Sequence, residues 1–189
     1  MRITDLAKSF GKKKLFEGFT LTVPKSGIIA LKGESGSGKT TLLRIIAGLD
    51  KKYSGNIDYE GIQRISYVFQ EPRLIPGCTA LENVTLTLGN TNEAKEKARE
   101  WLIRVGLEND LDTYPDELSG GMKMRVAFAR AMAYDGDILL LDEAFNGIDE
   151  ARTETIMDMV KEYAKNKPCI LVTHNQSHLD YLDCKIVEI

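Results

Sequence analysis

Residues Gly33 to Thr41 read Gly-Glu-Ser-Gly-Ser-Gly-Lys-Thr-Thr, and no other stretch restricts the fold as tightly. The spacing is that of a phosphate-binding loop, G-x-x-x-x-G-K-[ST]. Glycines at 33, 36 and 38 open backbone angles closed to other residues, so successive N–H groups can turn toward one anion. Lys39 adds a mobile positive charge suited to β- and γ-phosphates. Thr40 adds a hydroxyl suited to Mg²⁺, which prefers hard oxygen ligands. The apolar run Ile28-Ile29-Ala30-Leu31 precedes the loop, and Leu42-Leu43-Arg44-Ile45-Ile46-Ala47 follows it with helix-forming content. A buried strand, a glycine loop and a helix N-terminus are therefore expected in succession, and the helix dipole also favours phosphate there.

The chain has 189 residues, enough for one domain with a real core. Its formal net charge is -3 and it has no long basic block, which argues against nucleic acid as the main partner. No apolar run approaches the roughly 20 residues that cross a bilayer, and nothing at the N-terminus reads as a signal peptide. A soluble, cytoplasmic protein is expected, which could act at a membrane only by docking on something embedded there. Cys78, Cys169 and Cys184 match no metal or redox spacing and read as reduced thiols.

Taken in order, Phe19, Leu21 and Val23 alternate on one strand face, with turns at Gly11 and Pro24. Phe10, just before Gly11, reads by its own pattern as a core residue. Gly48 is the expected stop of the first helix. Short strands follow around Ile57–Tyr59 and over Ile65–Phe69, the second ending at Gln70. Helices are expected over Ala80–Leu88 and Asn92–Leu107, the latter capped by Thr91 or Asn92, with Trp101 as a packing residue. Ser119, Gly120 and Gly121 open a helix running to Tyr134. Two readings stay open for them: a capped helix with a glycine turn, or a second anion site at a helix N-terminus. Ile138–Leu141 is a fully apolar strand ending in Asp142 and Glu143. Acids there lie at the edge where open α/β sheets bind ligands, so Asp142 can reach a Mg²⁺ shell and Glu143 can orient a water. Asp149 caps the next helix, and Cys169–Thr173 is a buried strand with His174 at its end. His178 falls on a further helix.

In combination these pieces resemble the nucleotide-binding subunit of an ATP-binding cassette (ABC) transporter, over nearly the whole chain. The residues that carry the likeness are the loop Gly33–Thr41, Gln70, Leu118-Ser119-Gly120-Gly121, Ile138–Glu143, Asp149 and His174. The resemblance implies an α/β, RecA-like P-loop NTPase. Its mainly parallel sheet carries an N-terminal antiparallel β subdomain and a helical insert. Residues 1–73 and 135–189 would form the catalytic core with the β subdomain, and 74–134 the insert with the signature, all within one cassette domain over 1–189. It further implies ATP and Mg²⁺ as cofactors. Phe10 would stack on adenine, while Gly33, Glu34, Ser35, Gly36, Ser37, Gly38, Lys39, Thr40 and Thr41 hold the triphosphate. Thr40, Gln70 and Asp142 would surround the metal. Glu143 would be the general base, with Lys39 and His174 as its catalytic companions on the γ-phosphate.

The family works as a head-to-tail pair, so Ser119, Gly120 and Gly121 of one copy would close over ATP bound to the other. The implied partners are a membrane-embedded permease, a second copy, and a solute-binding protein if the system imports. The implied location is the inner face of the cell membrane. Wording around Val68–Leu74 and Ser119–Met122 is most similar to importers of the nitrate, sulfonate and taurine group. Met122 replaces the usual glutamine, Ala144 the usual proline, and Asn146-Gly147-Ile148 the commoner serine-alanine-leucine; these departures are expected to tune dimer contacts. The alternatives are an exporter or lipoprotein-release ATPase and a nucleotide-gated DNA clamp, whose relatives carry long coiled coils absent here.

Overall fold

The elements run β1 (Arg2–Phe10), β2 (Lys13–Thr22), β3 (Gly27–Lys32), α1 (Lys39–Ile46), β4 (Ser54–Asp58), β5 (Ile65–Val68) and α2 (Ala80–Thr85). They continue as α3 (Asn92–Arg104), α4 (Gly120–Tyr134), β6 (Ile138–Asp142), α5 (Glu150–Ala164), β7 (Pro168–Val172), α6 (Gln176–Leu182) and β8 (Lys185–Glu188). The computed structural model describes residues 1–189. Strands β5-β6-β7-β3-β8, in that spatial order, form one parallel sheet, and β2-β1-β4 form a separate antiparallel one.

The unbroken apolar runs in β3, β6 and β7 follow from burial on both faces. Ile28, Ala30, Leu139, Leu141, Cys169 and Leu171 point to one face, where they share a cluster with Leu102, Phe128 and Ile156 of the helices. Ile29, Leu31, Ile138, Leu140, Ile170 and Val172 point to the other, against Leu42, Leu43 and Ile46 of α1 and Ile3, Leu6 and Phe16 of the antiparallel sheet. Each Val, Leu, Ile and Phe among them contributes about 1.5–3 kcal/mol when fully buried. A register slip of one residue would turn every one of them to the wrong face, so burial also fixes which residues stand at the strand ends.

Helices α2, α3 and α4 lie between β5 and β6 in sequence, and they share the first cluster with the sheet. Their boundaries are set by caps. Thr79 Oγ1 accepts from the Glu82 N–H at 3.2 Å while the Glu82 carboxylate accepts from the Thr79 N–H at 2.8 Å, a reciprocal capping box. Thr91, rather than Asn92, caps α3. Asp149 caps α5 as expected, accepting from the Arg152 N–H at 3.0 Å.

Three boundaries differ from expectation. Helix α3 stops at Arg104 rather than Leu107, because Gly106 takes φ 73° and the Leu107 N–H donates back to Leu102 O at 2.9 Å. Helix α2 stops at Thr85 rather than Leu88. The short strand around Ile57 lies earlier, over Ser54–Asp58, paired to β1. Strand β8 was not signalled in the sequence at all. It is a mostly exposed edge strand beside β3, where only Ile186 and Val187 are apolar.

Candidate functional site

All strands of the main sheet are parallel, so their carboxyl ends meet at one edge. Register puts Leu31 and Asp142 opposite Val172, and Val68 opposite Leu141. The next residues along each strand are thereby forced together: Gly33 after β3, Gln70 after β5, Glu143 after β6, and Thr173 and His174 after β7.

The loop after β3 departs in one detail from its sequence reading. Gly36 and Gly38 have φ 78° and 111°, as a left-handed turn requires. Gly33 does not. It is needed for space, because a Cβ there would lie 2.5 Å from Ile189 O and 2.8 Å from Ser37 Oγ. Lys39, only 6% exposed, folds back so that Nζ donates to Gly33 O and Glu34 O, each at 2.8 Å. The lysine therefore braces its own loop, with its ammonium held at the loop's centre. The Ser37 hydroxyl is buried with no protein partner, the state of a group made for something the protein itself does not supply.

Thr40 Oγ1 donates to Asp142 Oδ1 at 2.9 Å, and Tyr67 Oη donates to Asp142 Oδ2 at 3.2 Å. Asp142 is 2% exposed. Burial pushes its carboxyl above the ordinary range and the neighbouring Glu143 charge adds to this, against the Thr40 and Tyr67 hydrogen bonds and the Lys39 charge. No group of three histidine, cysteine or acidic side chains gathers anywhere as a metal cage. The donors that do meet, the Thr40 hydroxyl and the Asp142 carboxylate, are hard oxygens, and they fit a Mg²⁺ that takes its remaining ligands from phosphate and water.

Glu143 has φ 48°, in the left-handed region that non-glycine residues seldom occupy. Its N–H donates to Val172 O at 2.9 Å, so the backbone turns there while still tied to β7. The turn swings the carboxylate into the cleft. Oε2 accepts from Asn146 Nδ2 at 3.0 Å and, more loosely, from Gln70 Nε2 at 3.4 Å. Oε1 lies 3.5 Å from His174 Nε2. Gln70, Glu143 and His174, from three adjacent strand ends, thus converge beside the phosphate loop.

Together with Phe10, Lys13, Leu15, Lys39 and Thr40 they line an open cleft of about 400 Å³. Phe10 is not in the core: it is 55% exposed, with the Lys8 ammonium 4.7 Å from its ring centre. A residue at a hairpin tip has no layer above it, which the local pattern did not reveal. Lys13 Nζ reaches Gly36 O at 3.3 Å and adds a second cation to the rim. Tyr67 and Lys13 escaped the sequence reading, and Asn146, read there only as a residue that tunes dimer contacts, also holds the Glu143 carboxylate. The signal for Tyr67 was there in retrospect, since Tyr67 and Phe69 alternate on the same strand face and only Tyr67 carries a hydroxyl.

Ser119, Gly120 and Gly121 do not line this cleft. Ser119 caps α4, its Oγ accepting from the Met122 N–H at 3.3 Å. Gly121 sits so close to the Gly147 carbonyl that a Cβ would lie 2.5 Å from it. The signature segment and the 146–149 turn are therefore packed on one another, away from the chain's own phosphate loop.

A parallel sheet with a glycine loop at its carboxyl edge and a capped helical insert between β5 and β6 defines a P-loop ATPase cassette. The chain belongs to the ABC transporter family, whose sequence profile matches residues 16–146. It is an ATP-binding, ATP-hydrolysing subunit of that family. Among its relatives is the aliphatic sulfonates import ATP-binding protein of Corynebacterium glutamicum, 40% identical over 181 residues that cover 93% of this chain and 74% of that one. A Staphylococcus epidermidis ATP-binding protein, provisionally named for hemin import, is 34% identical over 211 residues, covering 99% and 95%. Among solved structures, a dimeric ATP-binding cassette in a post-hydrolysis state with ADP and Pi superposes with TM-score 0.87 at 29% identity, over 100% of this chain and 93% of that one. No helix is long and apolar enough to cross a membrane.

The state of Asp142 is testable without nucleotide. A carboxyl whose folded pKa is raised costs stability while ionised, and that cost disappears as pH falls through the folded value toward the unfolded one, about 3.9. Asp142→Asn should therefore raise the melting temperature of the nucleotide-free protein at pH 7 by a few degrees. The gain should shrink toward pH 4, and Mg²⁺-dependent hydrolysis should be lost. A lowered midpoint at pH 7 would contradict the assignment of Asp142 as an undercompensated buried charge.

Proposed function

We propose that this chain powers import of a solute through a separate membrane permease, with the cleft at the sheet edge as its ATP site. The observation that carries the site assignment is the convergence of Gln70, Glu143 and His174 within about 3.5 Å contacts beside the phosphate loop. The reading of import rests on the relatives, which are named for import of different solutes. The solute itself would be selected by other subunits.

The residues divide the work as follows. Phe10 offers an exposed ring to the adenine. Loop N–H groups and the α1 N-terminus receive the phosphates, and Lys39 exchanges the carbonyls of Gly33 and Glu34 for β- and γ-phosphate oxygens. Thr40, Asp142 and Gln70 would hold Mg²⁺, which would supply positive charge to the phosphates. Glu143 accepts a proton from the attacking water as its oxygen bonds to the γ-phosphorus and the bridging oxygen leaves with ADP. His174 holds a γ-phosphate oxygen and Gln70 orients the water. Ser119, Gly120 and Gly121 meet the γ-phosphate of a second copy, which explains why they stand outside their own chain's cleft.

The permease would dock in an apolar groove of about 420 Å³ that includes Leu49, Tyr67, Phe69, Ile75 and Leu86. Ile75 and Leu86 are 48% and 56% exposed, while Leu74 turns inward onto the core. The segment 71–82, which brings Ile75 to this groove, is held from below by Arg130, whose guanidinium donates to Pro72 O and Arg73 O at 2.9 and 3.0 Å. It begins directly after Gln70, so movement at the nucleotide has a short path to the groove.

Two measurements test these roles. In the purified protein, Glu143→Gln should keep ATP binding and reduce hydrolysis by roughly a hundredfold or more. A normal rate would remove Glu143 as the base. The double variant Ile75→Lys with Leu86→Asp should retain ATP binding and its melting temperature, yet lose capture by the permease and uptake in cells. Unchanged complex formation and uptake would place the docking surface elsewhere.

A further inference from the structure

His178 has no part in the scheme above, yet it sits where two functional segments meet. It lies in the first turn of α6, on the side facing the β7–α6 loop that carries His174 and the segment after β6 that carries Glu143. Its Nδ1 is 3.3 Å from Thr173 Oγ1 and its Nε2 is 3.1 Å from Asn175 Nδ2. The ring meets Phe145 edge-on, with centroids 5.1 Å apart and an interplanar angle of 70°. Thr173 and Asn175 are the two immediate neighbours of His174. Phe145 is two residues from Glu143.

The hydrogen bonds around the ring determine its protonation. Asn175 Oδ1 accepts from the Ser177 N–H at 2.9 Å, the cap of α6. Its amide orientation is therefore set, and Nδ2 must be the group that donates to His178 Nε2. Nε2 then carries a lone pair. A neutral imidazole with Nε2 unprotonated has its hydrogen on Nδ1, which donates to Thr173 Oγ1. That oxygen also accepts from the Asn175 N–H at 3.2 Å, so both of its acceptor positions are used. In this tautomer both ring nitrogens face a complementary group, whereas a hydrogen on Nε2 would face the Asn175 amide hydrogens.

We propose that His178, in its neutral Nδ1–H form, is a positioning residue that holds His174 in line with Glu143, and that its protonation releases this hold. This rests on the reading of His174 and Glu143 given above. An imidazolium would set an Nε2–H against the Asn175 amide hydrogens, two donors 3.1 Å apart. Relief requires either that Asn175 turn its amide and give up the α6 cap or that the ring leave Thr173. Both loosen the loop on which His174 stands. Other titratable side chains line the separate pocket that His178 faces: Glu150 and Glu154 from α5 and Tyr181 from α6. Burial lowers the His178 pKa below its ordinary value. The neutral form therefore holds above about pH 6.5 and is lost on further acidification, through the folded value.

The test uses the full-length protein with Mg-ATP and three variants. A glutamine can donate to Thr173 and accept from Asn175 without being able to take up a proton. His178→Gln should keep the wild-type kcat at pH 8 within about twofold and should show a smaller fall in kcat as the pH is lowered through the His178 transition followed by NMR. His178→Ala should lower kcat by roughly tenfold at pH 8 with little change in KM, since misplacing a reacting group acts on the chemical step. His174→Ala should make the further substitution His178→Ala silent. Nitrogen NMR of ¹⁵N-histidine-labelled protein without nucleotide should find Nε2 of His178 unprotonated at pH 8. The proposal is overturned if His178→Gln keeps the full wild-type fall in acid, if His178→Ala leaves kcat unchanged, or if NMR finds the hydrogen on Nε2. If the wild-type protein binds no ATP at all, the site assignment fails instead, and the NMR result still decides the tautomer.

Discussion

Parallel register at the centre of the main sheet is the constraint on which the rest depends. Leu31 and Asp142 both pair with Val172, and Val68 pairs with Leu141. Those pairings are enforced by apolar side chains that fill both faces, not by anything in the cleft. A loop that can wrap phosphate, a buried aspartate, a turned-out glutamate and a histidine are then delivered to one line by chain connectivity alone. The antiparallel sheet and the helices serve this arrangement by covering the two faces, and in doing so they bring Phe10 to the rim and α4 to the flank.

The site is built with substitute partners in place. The Lys39 ammonium rests on two backbone carbonyls. Asp142 takes hydrogen bonds from Thr40 and Tyr67 but remains uncomfortable as a buried anion. Glu143 sits on a strained backbone and is steadied by Asn146. Lys39 offers the charge that a phosphate complements and Asp142 the charge that a metal ion complements, while Glu143 presents the carboxylate that a general base needs.

Much of this was legible in the sequence, for reasons that can be named. The loop Gly33–Thr41, the strand ends at Gln70, Asp142 and His174, and the caps Ser119 and Asp149 depend on local chemistry, which the order of residues displays directly. What depends on neighbours distant in sequence was not legible. Phe10 looked like core because its exposure depends on the absence of a layer above the hairpin. Gly33 looked like a conformational glycine, but a carbonyl from the other end of the chain, Ile189 O, is what excludes a side chain there. Strand β8 has too few apolar residues to announce itself, because only one edge of it is paired. The partnership of His178 with both neighbours of His174 needed the turn into α6 to be seen in space.

The cleft beside the phosphate loop does not include Ser119, which caps α4 outside it. The account therefore requires that two copies complete each other, with Ser119 at a helix N-terminus meeting the γ-phosphate across the pair. Sedimentation of the Glu143→Gln protein, which would hold ATP without consuming it, measures this most directly. The protein should be a monomer without nucleotide and a dimer in millimolar ATP, and adding Ser119→Arg should return it to a monomer. A Glu143→Gln protein that binds ATP and stays monomeric at every ATP concentration, or that dimerises regardless of Ser119→Arg, would contradict the account.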